Sequence, residues 1–273
     1  MKVSRYMLAL VVLVILAMNT TTLSAQSYSH KLIVIAHRGD HTDAPENTLK
    51  AFQDAITTGV DYVEVDVRTS SDGELVVMHD ATVNRMTDTT GNVDAFTLLE
   101  LQKLKVKDKQ RPGLGAHQIP TLAEVLHVCE GKMGIYLDFK SGDVEKTWQL
   151  IRKYRMEGRV VVYINEAAQL QQWRSRAPDV PLMISLPDSV RDATTYQNFQ
   201  RSVDAQILDG SAEDYTKALV EVINRSGRQV WIDVQAKDES ARRWRKAKTL
   251  GVQGMQTDHP RELLIWRDQR SLK

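Results

Sequence analysis

Short apolar runs of four to six residues recur along nearly the whole length of this chain, and most are separated by segments with helical periodicity. The runs fall at 32–36, 62–67, 74–78, 134–139, 160–164, 181–186, 205–208, 230–234 and 254–257. Between them, "TLKAFQDAI" sets Leu49, Phe52 and Ile56 on one face, with Asn47 as the expected N-cap. The segments "TLAEVLHVC" and "YTKALVEVINRSG" behave likewise, the second ending at Gly227, and Pro260 opens a last helix. A strand followed by a helix that returns over the sheet pairs in parallel with the next strand. Repeated this often, the unit predicts an α/β fold, a closed TIM-type (β/α)8 barrel. Nine runs exceed eight places by one. The runs 62–67 and 74–78 are joined by "TSSDGE", too short for a helix, so the surplus strand is expected there. Residues 80–118, with "MTDTTGN" and "KVKDKQRPGLG", break the alternation and read as a small inserted cap after the third strand. Residues 187–203 are polar and read as loop plus a short helix.

Ahead of the first run, Lys2 and Arg5 precede an unbroken apolar stretch from Tyr6 to Met18, and "TTTLSAQ" follows. This is the pattern of a signal peptide over 1–25, cleaved after Ala25 to leave a mature domain of 26–273. The alternative is a membrane anchor, but the stretch is well short of the roughly 20 residues that a spanning helix needs. The expectation is an exported protein, periplasmic or secreted, with no stable membrane span once the leader is removed. The full chain carries +1; a leader with two basic residues and no acid leaves the mature domain at −1, which is no electrostatic footprint for nucleic acid. With 273 residues and 42% hydrophobic content, the chain can bury a large core. Its single Cys129 cannot form an internal disulfide and lies on the apolar side of a helical pattern, as a small core residue would.

The strands end in groups that titrate. In "YVEVDV", Val63, Val65 and Val67 share one face and Glu64 and Asp66 the other. In a barrel the valines would face the helices and the two carboxylates the interior, where like charges are costly unless a cation sits between them. On its own this pair could equally belong to an exposed edge strand. It is not alone. "LIVIAHRG" ends in His37 and Arg38, "ELVVMHD" in His79, "GIYLDFK" sets Tyr136, Asp138 and Lys140 on one face, and "VWIDVQ" sets Trp231 and Asp233 on one face. The C-terminal ends of barrel strands are where the chemistry of such folds sits. Strand carboxylates suggest oxygen ligation of a divalent cation, Ca²⁺ or Mg²⁺. Arg38 and Lys140 suggest an anion, and two histidines a general acid and a general base. Together they describe phosphate-ester cleavage. No serine elbow, cysteine pair or glycine-rich phosphate loop offers another chemistry.

The sequence resembles the glycerophosphodiester phosphodiesterases. The resemblance rests on "AHRG" at 36–39, "APENT" at 44–48, "EVDV" at 64–67, "DGELVVMHD" at 72–80, "IPTLAEVL" at 119–126, "YLDFK" at 136–140 and "TDHP" at 257–260, seven motifs in order over roughly 32–260. It implies hydrolysis of a small-molecule glycerophosphodiester to glycerol phosphate and an alcohol. It implies that His37 and His79 are the acid and base, and that Glu64, Asp66 and Asp138 hold the cation. Asp138 departs from the pattern, which most often has Glu there. Arg38 and Lys140 match phosphate-contacting positions. Trp231 falls where the family often has an aromatic substrate contact, although "WIDV" departs from the usual "WTVN". Glu46 is a candidate ligand or supporting carboxylate, or else a cap or a salt-bridge partner of Arg38. Two other readings are a phospholipase-type lyase that stops at a cyclic phosphate and a non-catalytic phosphodiester-binding protein.

Overall fold

The computed structural model describes residues 31–271; the expected signal peptide lies outside the described residues. The strands are β1 (Ile33–Ala36), β2 (Tyr62–Thr69), β3 (Leu75–Val77), β4 (Gly134–Phe139), β5 (Val160–Ile164), β6 (Leu182–Ser185), β7 (Ile207–Asp209), β8 (Gln229–Asp233) and β9 (Gly254–Thr257). The helices are α1 (Leu49–Thr58), α2 (Leu98–Lys103), α3 (Leu122–Cys129), α4 (Val144–Lys153), α5 (Ala167–Arg176), α6 (Ala193–Phe199), α7 (Lys217–Arg225), α8 (Ala241–Leu250) and α9 (Pro260–Ser271). Eight strands pair in parallel in the order β1, β2, β4, β5, β6, β7, β8, β9, and β9 returns to β1, which closes the barrel. The surplus strand is β3, which runs antiparallel to β2 with Val67 opposite Val77, as the short "TSSDGE" link requires.

Strand alternation sorts the side chains into two cores. Outward residues such as Val63, Val65, Ile135, Leu137 and Ile232 are fully or almost fully buried against the helices. Inward residues Ile35, Tyr136, Val161, Met183, Ile207 and Trp231 form a second cluster inside the barrel. Two aromatic rings close the barrel's foot. A Cβ on Gly134 would lie 2.4 Å from the Tyr62 ring, and one on Gly254 would lie 2.6 Å from the Trp231 ring. The two rings meet edge to face with centroids 5.0 Å apart. Glycine at those two inward positions is what makes room for the plug.

The helices begin where the side chains can cap them. Thr48, not Asn47, caps α1 by accepting from the Ala51 amide, and Thr121 with Glu124 forms a capping box on α3. Cys129 ends α3 with its side chain fully buried, and burial pushes its thiol up to about 12, so it is a packing residue. Between β3 and α3 the chain leaves the barrel pattern. This insertion has its own core, in which Val83, Met86, Val93, Leu101, Val106 and Ile119 are buried together. Each such side chain contributes about 1.5–3 kcal/mol when removed from water, enough to hold the segment as a folded cap. It rests on the barrel mouth, where Arg111 Nη1 donates to the His41 carbonyl at 2.9 Å and Arg85 reaches Glu46 at 2.7 Å.

Candidate active site

The site begins where β1 stops. After Ala36 the backbone turns left-handed at Arg38 (φ 55°) and again at Gly39 (φ 92°). Only glycine fits the second position, because a Cβ there would lie 2.7 Å from the Ala51 Cβ. The turn aims the Arg38 amide at Glu64 Oε2, 2.8 Å away. It also carries the Arg38 guanidinium to Glu46 Oε1 at 2.9 Å and sets Nε 3.5 Å from Asp66 Oδ2. Asn47 takes the left-handed conformation (φ 55°) that asparagine tolerates and donates Nδ2 to Asp66 Oδ2 at 2.7 Å. Glu46 therefore pairs with Arg38, and it also accepts from Arg85 of the cap. Burial opposes its charge, but the Arg85 hydrogen bonds and the two guanidinium charges outweigh that and lower its pKa to about 2.

Glu64 and Asp66 face inward, 3% and 0% exposed. Asp138 sits beside Asp66 in register on β4. The three carboxylates offer oxygens that all lie within 4.8 Å of one another. Burial, then repulsion from Asp66 and Asp138, pushes the Glu64 carboxyl well above its ordinary value, and burial with the Asp66 charge raises Asp138. Lys140 offsets part of this charge, with Nζ 2.5 Å from Asp138 Oδ2 and 3.3 Å from Asp66 Oδ1, and Asn165 donates to Asp138 Oδ1 at 2.8 Å. Asp66 Oδ1 is buried with no hydrogen-bond partner. Three clustered carboxylates, with one buried oxygen that is ion-paired but not hydrogen-bonded, fit a hard divalent cation.

Both histidines are backed by a carboxylate. His37 Nδ1 lies 2.7 Å from Asp258 Oδ1, which His41 Nε2 also approaches at 3.1 Å. Burial works against the charged Asp258, but these hydrogen bonds prevail and hold its carboxyl well below the usual range. His79 Nδ1 lies 2.6 Å from Asp80 Oδ1. Hydrogen bonds from Arg85 chiefly, and then from His79, keep Asp80 ionised far below its ordinary value. An ionised carboxylate accepts, so we assign the proton to Nδ1 on both rings, which leaves each Nε2 as an acceptor. Arg68 fixes the His79 loop by donating twice to the His79 carbonyl, at 2.9 and 2.7 Å.

His37, Arg38, Glu64, Asp66, His79, Asp138 and Lys140 line a single cleft of about 320 Å³ at the C-terminal mouth. A larger groove of about 770 Å³ near α1 and α9 contains none of them. The structure does not bring Trp231 to this cleft. It lies in the barrel's foot, 3% exposed, donating Nε1 to Gln229. Trp231 and Asp233 do share the inward face, but two residues further along β8 it is Asp233 that reaches the cleft. Asp80, Asn165, Asp209 and Asp258 were not read as site residues from the sequence. For Asp80 and Asp258 a signal exists, since each lies in a motif just past the end of a strand, "DGELVVMHD" and "TDHP".

A parallel barrel whose mouth combines clustered carboxylates, two cations and two carboxylate-backed imidazoles defines a phosphoric diester hydrolase. Residues 37–262 match the model of the Glycerophosphoryl diester phosphodiesterase family. The chain is 32% identical over 241 residues to a glycerophosphodiester phosphodiesterase of Caldanaerobacter subterraneus subsp. tengcongensis, covering 86% of this chain and 97% of that one. A crystal structure of glycerophosphodiester phosphodiesterase from Agrobacterium tumefaciens superposes with a TM-score of 0.72 at 28% identity, covering 84% of this chain and 97% of that one. An Oleispira antarctica phosphodiesterase, solved with the product sn-glycerol-3-phosphate, shares the fold with a TM-score of 0.75 at 24% identity, covering 87% and 97%. The chain belongs to the glycerophosphoryl diester phosphodiesterase family.

Proposed function

We propose that the chain hydrolyses glycerophosphodiesters to glycerol phosphate and an alcohol, with His37 and His79 as the acid–base pair. The observation that carries this reading is that both imidazoles have Nδ1 tied to a carboxylate and line the cleft that also holds Arg38 and Lys140. Arg38 and Lys140 bind and orient the phosphate anion. One Nε2 accepts the proton of the attacking glycerol hydroxyl while the other histidine, protonated, donates to the leaving alcohol oxygen; water then opens the cyclic phosphate with the two roles reversed, which gives glycerol phosphate. Asp258 and Asp80 hold the rings in that orientation and stabilise the imidazolium as it forms. A divalent cation, Ca²⁺ or Mg²⁺, held by Glu64, Asp66 and Asp138 would supply Lewis acidity toward phosphate and hydroxyl oxygens. The leader-like sequence supports export, to the periplasm or beyond, as the setting of the reaction.

The test is turnover of glycerophosphodiesters with Ca²⁺, with Mg²⁺ and with chelator, with the products identified. Glycerol phosphate and free alcohol are expected, and chelator should abolish the rate while the circular dichroism spectrum stays unchanged. A rate indifferent to chelator would remove the three carboxylates from the mechanism. A cyclic phosphate as the final product would make the enzyme a lyase.

A further inference from the structure

Diametrically across the barrel from β2 and β4, β7 and β8 end in a second pair of carboxylates that the reaction above does not use. Asp209 closes β7 and is 7% exposed; Asp233 closes the neighbouring β8 and faces the same cleft. Among the described residues neither makes an ion pair, whereas the cleft's two cations are already engaged by Glu46, Asp66 and Asp138. Burial, followed by repulsion between the pair, pushes Asp209 well above its ordinary value, and burial chiefly raises Asp233. A buried anionic pair without a counter-ion is unfavourable unless a ligand supplies one.

A second observation points to the same wall. Gln256 is in register with Asp233 and donates Nε2 to Asp233 Oδ1 at 2.8 Å. Gln256 is 7% exposed, and its Oε1 is buried with no hydrogen-bond partner; Gln235 Oε1 is in the same state. Both glutamines line the cleft. The wall thus offers two carboxylates and two amide oxygens without hydrogen-bond partners, and among the described residues no cation pairs with either carboxylate. It wants hydrogen-bond donors that carry positive charge. Tyr136 and Tyr163, their rings 6.0 Å apart, also line the cleft and offer electron-rich faces to a cation. An uncharged polyol would satisfy the amide oxygens but would give neither carboxyl the positive charge that favours its ionised form.

We propose that Asp209, Asp233, Gln235 and Gln256 form a subsite for the ammonium group of the substrate alcohol, so that the enzyme prefers glycerophosphodiesters of amino alcohols to those of uncharged alcohols. This rests on the phosphodiesterase reading above and adds the substrate class. The cleft volume of about 320 Å³ suits a small head group and not a long chain.

The test compares kcat/KM at pH 7 for glycerophosphoethanolamine, glycerophosphocholine and glycerophosphoglycerol. The ethanolamine ester should lead the glycerol ester by about tenfold or more, as charge-assisted hydrogen bonds predict. The choline ester, which has charge but no N–H donor, should fall between them. In Asp209→Asn and in Asp233→Asn the ethanolamine-to-glycerol ratio should fall toward one, whichever way the absolute rates move. Inhibition of the unmodified enzyme supplies a measurement that needs no variant: ethanolamine should inhibit more strongly than ethylene glycol. Equal kcat/KM for the three esters overturns the subsite and leaves the hydrolase reading intact, and so does a ratio unchanged in both variants. Failure to cleave any of the three overturns both.

Discussion

Replacing Glu46 with glutamine removes one charge from the joint between cap and barrel while keeping the shape of the side chain. Glu46 holds Arg38 of the β1 turn and Arg85 of the insertion together, and its side chain is only 18% exposed. Its carboxyl is moved from an ordinary 4.5 to about 2. A displacement of that size corresponds to about 3 kcal/mol of folding stability at neutral pH, as an upper figure. The folded-state pKa lies below the unfolded one, so the contribution is fully present above about 4.5. It is lost as pH falls from there toward about 2. Glu46→Gln should therefore lower the urea midpoint at pH 7, and the gap to the unmodified protein should stay constant from pH 8 to pH 6. It should then close as both proteins are taken from pH 5 toward pH 3. Fluorescence-monitored urea titrations at those pH values supply the curve. A gap that persists undiminished at pH 3 would mean that shape, not charge, holds the joint, and the reasoning would fail. No gap at pH 7 would refute it as directly.

His37→Ala and His79→Ala should each reduce kcat by at least ~10²-fold, and on a nitrophenyl ester, whose leaving group needs little protonation, the variant lacking the acid should recover while the other should not; near-full activity of either variant on a natural diester would make that histidine structural. Gly39→Ala should destabilise the fold by more than about 1 kcal/mol in thermal unfolding, because the left-handed backbone there disfavours a side chain and Ala51 fills the space; an unchanged melting temperature would contradict the close packing of the β1 turn on α1. Export with leader cleavage should yield a protein whose N-terminus lies near Gln26 by mass spectrometry, and retention of residues 1–25 in a membrane fraction would indicate an anchor instead.

Much of this architecture was legible in the sequence because barrel strands impose a strict two-residue period. "YVEVDV" states in one line that its valines pack outward and its carboxylates inward, and the structure agrees at every position. The surplus strand was located by the length of a link. What could not be read depends on neighbours far away in sequence. Asp258 lies in the legible "TDHP" motif, but its partnership with His37, 221 residues away, depends on β9 closing onto β1, which no local pattern announces. Asp209 was missed because the apolar run reads as ending at 208, and a three-residue strand offers too little alternation to reveal a face. Trp231 illustrates a limit of motif matching. Its position along the strand decides the depth at which it sits, and the glycine opposite it, Gly254, lets the ring drop into the foot of the barrel. Asn47 looked like a cap because asparagine suits caps and left-handed turns alike, and Thr48 takes the capping role.

The plug that Tyr62 and Trp231 make closes the foot of the barrel, so the cleft opens toward the C-terminal mouth. Among the described residues the mouth is the way to the cleft, and substrate and products would share it. The traffic is then necessarily in turns: the alcohol and the glycerol phosphate must clear the doorway before another diester can occupy it. Accumulated product should slow the enzyme by occupying that mouth, and the insertion that Arg111 and Arg85 pin beside it is in a position to set how quickly it clears.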